Sequence, residues 1–70
     1  MNAPTTDTMI ATHTRPDGAT VTLSAMAPTT WRRAGLHVVT RHPDGRVERH
    51  TEPMGAESRA RAAYEKARTA

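Results

Sequence analysis

The segments Arg15-Pro16-Asp17-Gly18 and His42-Pro43-Asp44-Gly45 carry the same turn signature, and each lies between two runs of strand-forming residues. Proline presets φ at the first turn position, aspartate is accepted at the second, and glycine supplies the positive φ that closes a bulged hairpin. The two segments therefore predict two β-hairpins, one on each side of the connection formed by residues 26–35.

The first hairpin is predicted over residues 8–25, where side chains alternate in character with a period of two. Such alternation is typical of a sheet with one buried and one solvated face. With a three-residue loop at 16–18, the pairs predicted on the buried face are Arg15 with Ala19, His13 with Val21, Ala11 with Leu23, and Met9 with Ala25. The other face then carries Ile10, Thr12, Thr14, Thr20, Thr22 and Ser24.

The second hairpin is predicted over Leu36–Thr51, and neither of its faces is wholly apolar. Leu36 and Val38 face inward by bulk, while Val39 and Val47 form a small apolar spot on the opposite face. A slip of one residue would exchange the two faces, so the sequence leaves open which of them is buried. Without a slip, the opposed pairs are His42–Arg46, Thr40–Glu48, Val38–His50 and Leu36–Glu52 on one face, and Arg41–Val47, Val39–Arg49 and His37–Thr51 on the other.

From Ala56 to the C-terminus the apolar period changes to 3.6, which predicts an amphipathic helix. Tyr64 is the one large side chain on its apolar stripe, and we expect it to anchor the helix on the sheet. The predicted fold is therefore α+β: a four-stranded antiparallel sheet made of two β-hairpins, followed by one C-terminal α-helix packed on one face. Residues 8–70 form a single small domain, and residues 1–7 a flexible N-terminal tail. The stripe consists of Ala56, Ala60, Ala63, Tyr64 and Ala67.

The apolar inventory of this 70-residue chain is thin, with no phenylalanine, one tryptophan and one tyrosine. A chain of this length buries only about 60% of the surface that its unfolded form exposes. Because cysteine is absent, neither disulfides nor thiolate metal sites can add stability. We therefore expect a partner surface to contribute, most simply a second copy of the chain. Trp31, in the connection, is predicted to fold over the sheet edge and cover part of the core.

No apolar run in the sequence approaches the length of a membrane span, and the N-terminus lacks the apolar segment of a signal peptide. These features predict a soluble, cytoplasmic protein. Arginine outnumbers lysine nine to one. This bias is typical of a high-GC genome, such as that of an actinobacterium or one of its phages or plasmids.

Positive charge is concentrated in the second half of the chain: of the net charge of +3, residues 1–30 contribute −1 and residues 31–70 contribute +4. Arginines on a two-stranded ribbon can enter a DNA major groove, where they bind phosphates and read guanine. Double-stranded DNA binding through the second hairpin is therefore one hypothesis. Its residues are Arg32, Arg33, Arg41, Arg46 and Arg49.

Neither a metal site nor a catalytic site is predicted, and no cofactor, small-molecule substrate or membrane partner is expected. A small sheet with one helix offers no obvious cleft for a nucleophile and its base. Zinc needs several ligands that converge on one point, usually with tight local spacing. The histidines lack that pattern; they are His13, His37, His42 and His50.

The function expected first is that of a small, non-enzymatic accessory or regulatory protein that binds a macromolecular partner. That partner is a protein, or a second copy of the chain in a homodimer, and the DNA hypothesis is the alternative. Ile10 on the first hairpin is one apolar candidate for the contact. The main candidates lie on the second hairpin: His37, Val39, Arg41, Val47 and Arg49.

Overall fold

A computed structural model describes residues 5–70, which fold into a four-stranded antiparallel sheet followed by one α-helix. The strands are β1 (Thr8–Thr14), β2 (Thr20–Met26), β3 (Gly35–Arg41) and β4 (Val47–Pro53), in the spatial order β1-β2-β3-β4. A 3-10 turn (Met54–Ala56) leads into the helix α1 (Glu57–Thr69). The predicted fold class is confirmed. Part of the tail predicted at 1–7, residues 1–4, lies outside the described residues, and the tail's flexibility stays a prediction.

The two Pro-Asp-Gly segments form the predicted turns with nearly identical backbone geometry. In the first turn, Gly18 N donates to Arg15 O at 3.0 Å, and Asp17 Oδ1 accepts a hydrogen bond from Ala19 N at 3.0 Å. The second turn repeats both bonds, and its Gly45 has a φ of 93°, against 91° for Gly18. Because L side chains rarely adopt such positive φ values, glycine is required at both positions.

The register of the second hairpin is the one predicted from its turn. The pairs between β3 and β4 run from Gly35 opposite Pro53 to Arg41 opposite Val47. This register excludes the one-residue slip that the sequence left open. It also decides which face is buried, because Leu36 on β3 is only 1% exposed beneath the helix.

The first hairpin keeps the predicted register from its turn as far as Ala11 and then departs from it. A β-bulge at Ile10 shifts the pairing by one residue, so that Met9 lies opposite Ser24 rather than opposite the predicted Ala25. Ile10 consequently packs against the core, while the side chain of Met9 is 64% exposed. The bulge exchanges a flexible thioether for a β-branched side chain at the core, and an edge strand accommodates such an insertion readily because only one neighbour is disturbed.

The core lies between one face of the sheet and α1, which packs across β2, β3 and β4. Tyr64 is 9% exposed and is the largest side chain that the helix contributes, as predicted. Alanines elsewhere on the apolar stripe bring the helix backbone close to the sheet but bury little apolar area. Within residues 5–70, no helix is long and apolar enough to cross a membrane. The buried cluster consists of Val21, Leu23, Ala25, Leu36, Val38, Ala60 and Tyr64.

Trp31 lies outside the core, with 93% of its surface exposed, so the prediction that it covers the core is wrong. Two hydrogen bonds close the connection at its base: Asp7 Oδ1 accepts from Ala27 N at 2.8 Å, and Arg32 Nη2 donates to Ala27 O at 2.7 Å. The tip that carries Trp31 therefore extends into solvent. The space between helix and sheet is filled by Tyr64 instead.

Candidate binding surface

The sheet has one face that α1 does not cover, which we call the open face. Because side chains alternate along a strand, the register assigns every second residue of each strand to this face. None of the four strands places a carboxylate there; Glu48 and Glu52 lie on the side of α1. The open face is made of Met9, Thr12, Thr14, Thr20, Thr22, Ser24, Met26, His37, Val39, Arg41, Val47, Arg49 and Thr51.

The open face is divided into a hydroxyl-rich half and a cationic half. β1 and β2 contribute mainly threonine, and the hydroxyls of Thr12 and Thr22 lie 3.4 Å apart across the two strands. β3 and β4 contribute the two arginines and two valines, whereas Met9 and Met26 are the apolar side chains of β1 and β2 on this face. The hydroxyl half is suited to solvent, because a threonine surface presents hydrogen-bonding groups at every other position. The positive charge of the open face therefore lies on the second hairpin.

A shallow depression of about 350 Å³ lies where these two halves meet. Val39 lies among its lining residues, with the thioethers of Met9 and Met26 on the side of the first hairpin and the guanidinium groups of Arg41 and Arg49 on the other. The remaining lining residues are Asp7, Thr8, Thr22, Ser24 and His37. The site thus combines apolar and positively charged side chains in one concave region.

The structure brings together all five residues of the predicted partner contact. They occupy neighbouring positions on the open face, with Arg49 opposite Val39 and Arg41 opposite Val47. Val47 is 37% exposed, and both arginines are exposed. The fifth, His37, lies two residues before Val39 on β3. Ile10, which the sequence placed on this face, lies on the opposite side because of the bulge in β1.

The arginines differ in whether a carboxylate neutralises them. Five of them form ion pairs with Asp or Glu side chains: Arg15, Arg32, Arg59, Arg61 and Arg68. Within residues 5–70 the other four make no such pair: Arg33, Arg41, Arg46 and Arg49. The arginines of the helix are thus compensated locally, whereas the arginines without such a pair lie on the second hairpin and just before it.

The set proposed for DNA binding is divided by the structure. Arg41 and Arg49 lie on the open face, and Arg32 and Arg33 line a smaller depression of about 100 Å³ at its end. Arg32 is engaged there by the carboxylate of Asp7 at 3.4 Å. Arg46 lies beside the second turn on the helix side, where its Nη2 is 3.4 Å from His42 Nδ1. The five arginines therefore do not form one continuous patch.

His37 adds no charge to the open face at neutral pH. Partial burial lowers the pKa of its imidazole below the usual value of 6.5, and the positive charges of Arg49 and Arg32 lower it further. The imidazole is therefore largely neutral at pH 7, and the positive charge of the face comes from Arg41 and Arg49.

Two other histidines form pairs with glutamates on the helix side of the sheet. His42 Nε2 lies 3.1 Å from Glu48, and this contact lowers the pKa of the Glu48 carboxyl below its usual value. His50 Nε2 lies 2.7 Å from Glu52. Across the part of the chain that the structure describes, no group of three or more histidine, aspartate or glutamate side chains is arranged to hold a metal ion.

Two residues of the candidate surface, and the exposure of Trp31, were not predicted from the sequence. Met26 follows the alternation of Thr20, Thr22 and Ser24, so its place on the open face was readable from the pattern. Met9 was not, because the bulge reverses its side. Trp31 lies in a turn closed by the hydrogen bond from Thr29 N to Arg32 O at 2.7 Å, and the sequence did not predict that this turn extends away from the sheet.

In comparisons with known proteins, no family model, no curated protein and no solved structure matches the chain. The interpretation of the surface therefore depends on its own chemistry.

Proposed function

We propose that this chain is a small, cytoplasmic, non-enzymatic accessory protein that acts by binding another polypeptide through the open face of its sheet. One observation carries the proposal: the open face joins exposed apolar side chains to two arginines that form no ion pair with a carboxylate of residues 5–70. A face that served only solubility would have no need of the apolar side chains.

The residue types on and beside this face are those of protein interfaces. Methionine, arginine and tryptophan are enriched at such interfaces relative to the rest of a protein surface. Met9 is 64% exposed, and Trp31 at the end of the connection is 93% exposed. Together they form an exposed apolar fraction that is large for a chain with so few big apolar residues.

The thinness of the core supports the same conclusion. Within residues 5–70, the buried side chains other than Tyr64 and Thr40 are leucines, valines and alanines. Covering the open face would add apolar contacts on the second side of the same strands and so stabilise the sheet. A partner that binds the folded chain but not the unfolded chain shifts the unfolding equilibrium toward the folded state.

Charge supports a different polypeptide over a second copy of the chain. If two copies met through their open faces, Arg41 and Arg49 of one would approach those of the other, and the carboxylate that lines the depression, that of Asp7, is already paired with Arg32. Like charges in such positions cost free energy. Homodimerisation through this face is tested by sedimentation at micromolar concentration.

Site-specific cross-linking in the cells that express the chain tests the proposal. The photo-reactive residue benzoylphenylalanine replaces Met9 or Val47 on the open face and, as a control, Arg61 on the exposed side of α1. We expect one defined polypeptide to be cross-linked from both open-face positions and not from the helix position. No product from either open-face position, or equal products from the helix, would overturn the proposal.

Double-stranded DNA binding is the second candidate, favoured by the uncompensated charge of Arg33, Arg41 and Arg49. Phosphate-driven binding weakens steeply as salt rises, because condensed counterions are released when arginines replace them. A labelled duplex mixed with the chain at low salt should then be retarded in a gel, and an Arg41→Ala/Arg49→Ala variant should lose that retardation. Unretarded duplex at low salt excludes this candidate.

A further inference from the structure

We propose that the partner segment is acidic, and that its carboxylates bind Arg41 and Arg49 while its apolar side chains contact Met9, Met26 and Val39 in the depression of the open face. This inference rests on the proposed function, which assigns binding to the open face but leaves the chemistry of the partner open.

The charge of the depression is the first argument. Arg41 and Arg49 lie diagonally across the β3–β4 pair, and diagonal neighbours on one face are about 7–8 Å apart. The guanidinium groups carried at these neighbouring positions have like charges and repel each other. A carboxylate between them turns the repulsion into attraction, and guanidinium binds carboxylate through paired, charge-assisted hydrogen bonds. The pair of arginines is thus electrostatically suited to bind an anion.

The apolar part of the depression decides the class of partner. Methionine side chains are flexible and polarizable and adapt to irregular apolar shapes, so Met9 and Met26 can contact leucine- or valine-like side chains. An acidic segment with interleaved apolar residues satisfies both halves of the site. Inorganic or nucleotide phosphate alone would leave the apolar half without a counterpart.

Two features favour a polypeptide over a nucleic acid. The open face carries no aromatic ring on which a base could stack, which is the usual platform for single strands. The carboxylate of Asp7 lines the depression on the side of β1 and is paired with Arg32, so this arginine is not free to bind a phosphate backbone. A polypeptide tolerates this carboxylate because only the residues facing Arg41 and Arg49 need be acidic.

Binding of synthetic peptides to the full chain tests the inference directly. The probe is a fluorescein-labelled peptide of alternating glutamate and leucine, followed by fluorescence anisotropy. We expect saturable binding that is lost when lysine replaces glutamate and weakened when serine replaces leucine. An Arg41→Glu/Arg49→Glu variant should bind about tenfold more weakly or worse, since one charge-assisted hydrogen bond is sufficient for that factor.

The matched control reverses the same amount of charge elsewhere. An Arg59→Glu/Arg61→Glu variant alters two exposed arginines of α1 and should bind the probe as the unaltered chain does. Circular dichroism and thermal unfolding verify that each variant is folded. If the charge-reversed open-face variant does not fold, Arg41→Gln/Arg49→Gln removes the charge without adding repulsion and is expected to show the same loss.

The remaining outcomes separate this inference from the function on which it rests. If Met9 and Val47 still cross-link one polypeptide after charge reversal at Arg41 and Arg49, the open face is a protein-binding surface but the partner is not held by acids. If the glutamate–leucine peptide fails to bind, or a DNA duplex binds more tightly than the peptide at equal salt, the inference is wrong. If no cross-link forms, the proposed function itself fails.

Discussion

The two faces of the sheet are built from the same strands yet differ in what they bury. On the helix side, the alternate residues of β2 and β3 are at most 5% exposed, and all of them are apolar except Thr40, which is equally buried. On the open side, the intervening residues after Gly35 on β3 and along β2 are threonine, serine, methionine, histidine, valine and arginine, and they stay partly accessible. The comparison teaches that one short helix closes one face, and that the other face is free to carry binding chemistry.

The largest expected effect comes from removing the side chain that closes the covered face. Tyr64→Ala should lower the free energy of unfolding by about 3–5 kcal/mol, the range seen when a buried aromatic is truncated. Urea denaturation followed by circular dichroism measures it. Trp31→Ala is the control, because a side chain that is 93% exposed should change stability by less than about 0.5 kcal/mol.

A smaller effect tests the two faces on a single strand. Leu36→Ala on the covered face should cost about 2–5 kcal/mol, because Leu36 is 1% exposed in the cluster beneath α1. Val39→Ala, three residues later on the open face, should cost far less in the same denaturation experiment. Equal losses for the two variants would show that the open face is packed in solution, contrary to the comparison.

The two turn glycines offer a matched pair at the end of the sheet. Gly18→Ala and Gly45→Ala each force a positive φ on a residue with a Cβ, which costs about 1–2 kcal/mol. At Gly18 the added Cβ would also lie 3.0 Å from Cγ of Pro43, whereas nothing lies within 4 Å at Gly45. We therefore expect the loss in thermal unfolding experiments to be greater for Gly18→Ala. A greater loss at Gly45 would contradict the packing of one turn against the other.

The smallest effect is a dependence of stability on pH at the first turn. The guanidinium of Arg15 and the backbone N–H of Ala19 lower the pKa of Asp17 from 3.8 to about 2. Since the charged form is favoured by folding, its contribution is complete above pH 3.8 and is lost as the pH falls toward 2. Asp17→Asn should flatten the stability profile in that interval, measured by urea denaturation at each pH.

The control for this pH profile is Asp44→Asn in the second turn, which leaves the Arg15–Asp17 pair intact. It should retain the decline that Asp17 produces. Arg15 also donates from Nη1 to Ala67 O near the end of α1 at 3.1 Å, so this turn is connected to the covered face. If the dependence of stability on pH is the same in Asp17→Asn as in the unaltered chain, the Arg15–Asp17 pair does not contribute to the loss of stability in acid.

Much of the fold was predictable because its signals are local. A Pro-Asp-Gly turn determines loop length, and loop length determines which residues of a hairpin lie opposite each other; this is why the β3–β4 register was correct throughout. The alanine stripe with Tyr64 was likewise readable from a period of 3.6. The bulge at Ile10 was not, because it depends on competition between Met9 and Ile10 for space at the core.

The candidate surface was predictable only in part, for the same reason. The alternation of side chains along the strands of the second hairpin predicted that five residues share one face of it. They are His37, Val39, Arg41, Val47 and Arg49. The sequence did not reveal which side α1 would cover, since Leu36 and Val38 compete with Val39 and Val47 for burial. Nor did it reveal that helix arginines are paired with carboxylates while Arg41 and Arg49 are not, because ion pairs depend on positions in space.

By itself, the order of residues determined the two hairpins, the pairing within the second of them, and a C-terminal helix with one apolar stripe. Each follows from backbone preferences and side-chain spacing over a few residues. Only the tertiary structure decided which face of the sheet the helix covers, where β1 bulges, and that Trp31 extends into solvent. Those features depend on how segments that are distant in the sequence pack together. A side chain that occupies the space beneath the helix excludes the others, and no local pattern shows which one it will be.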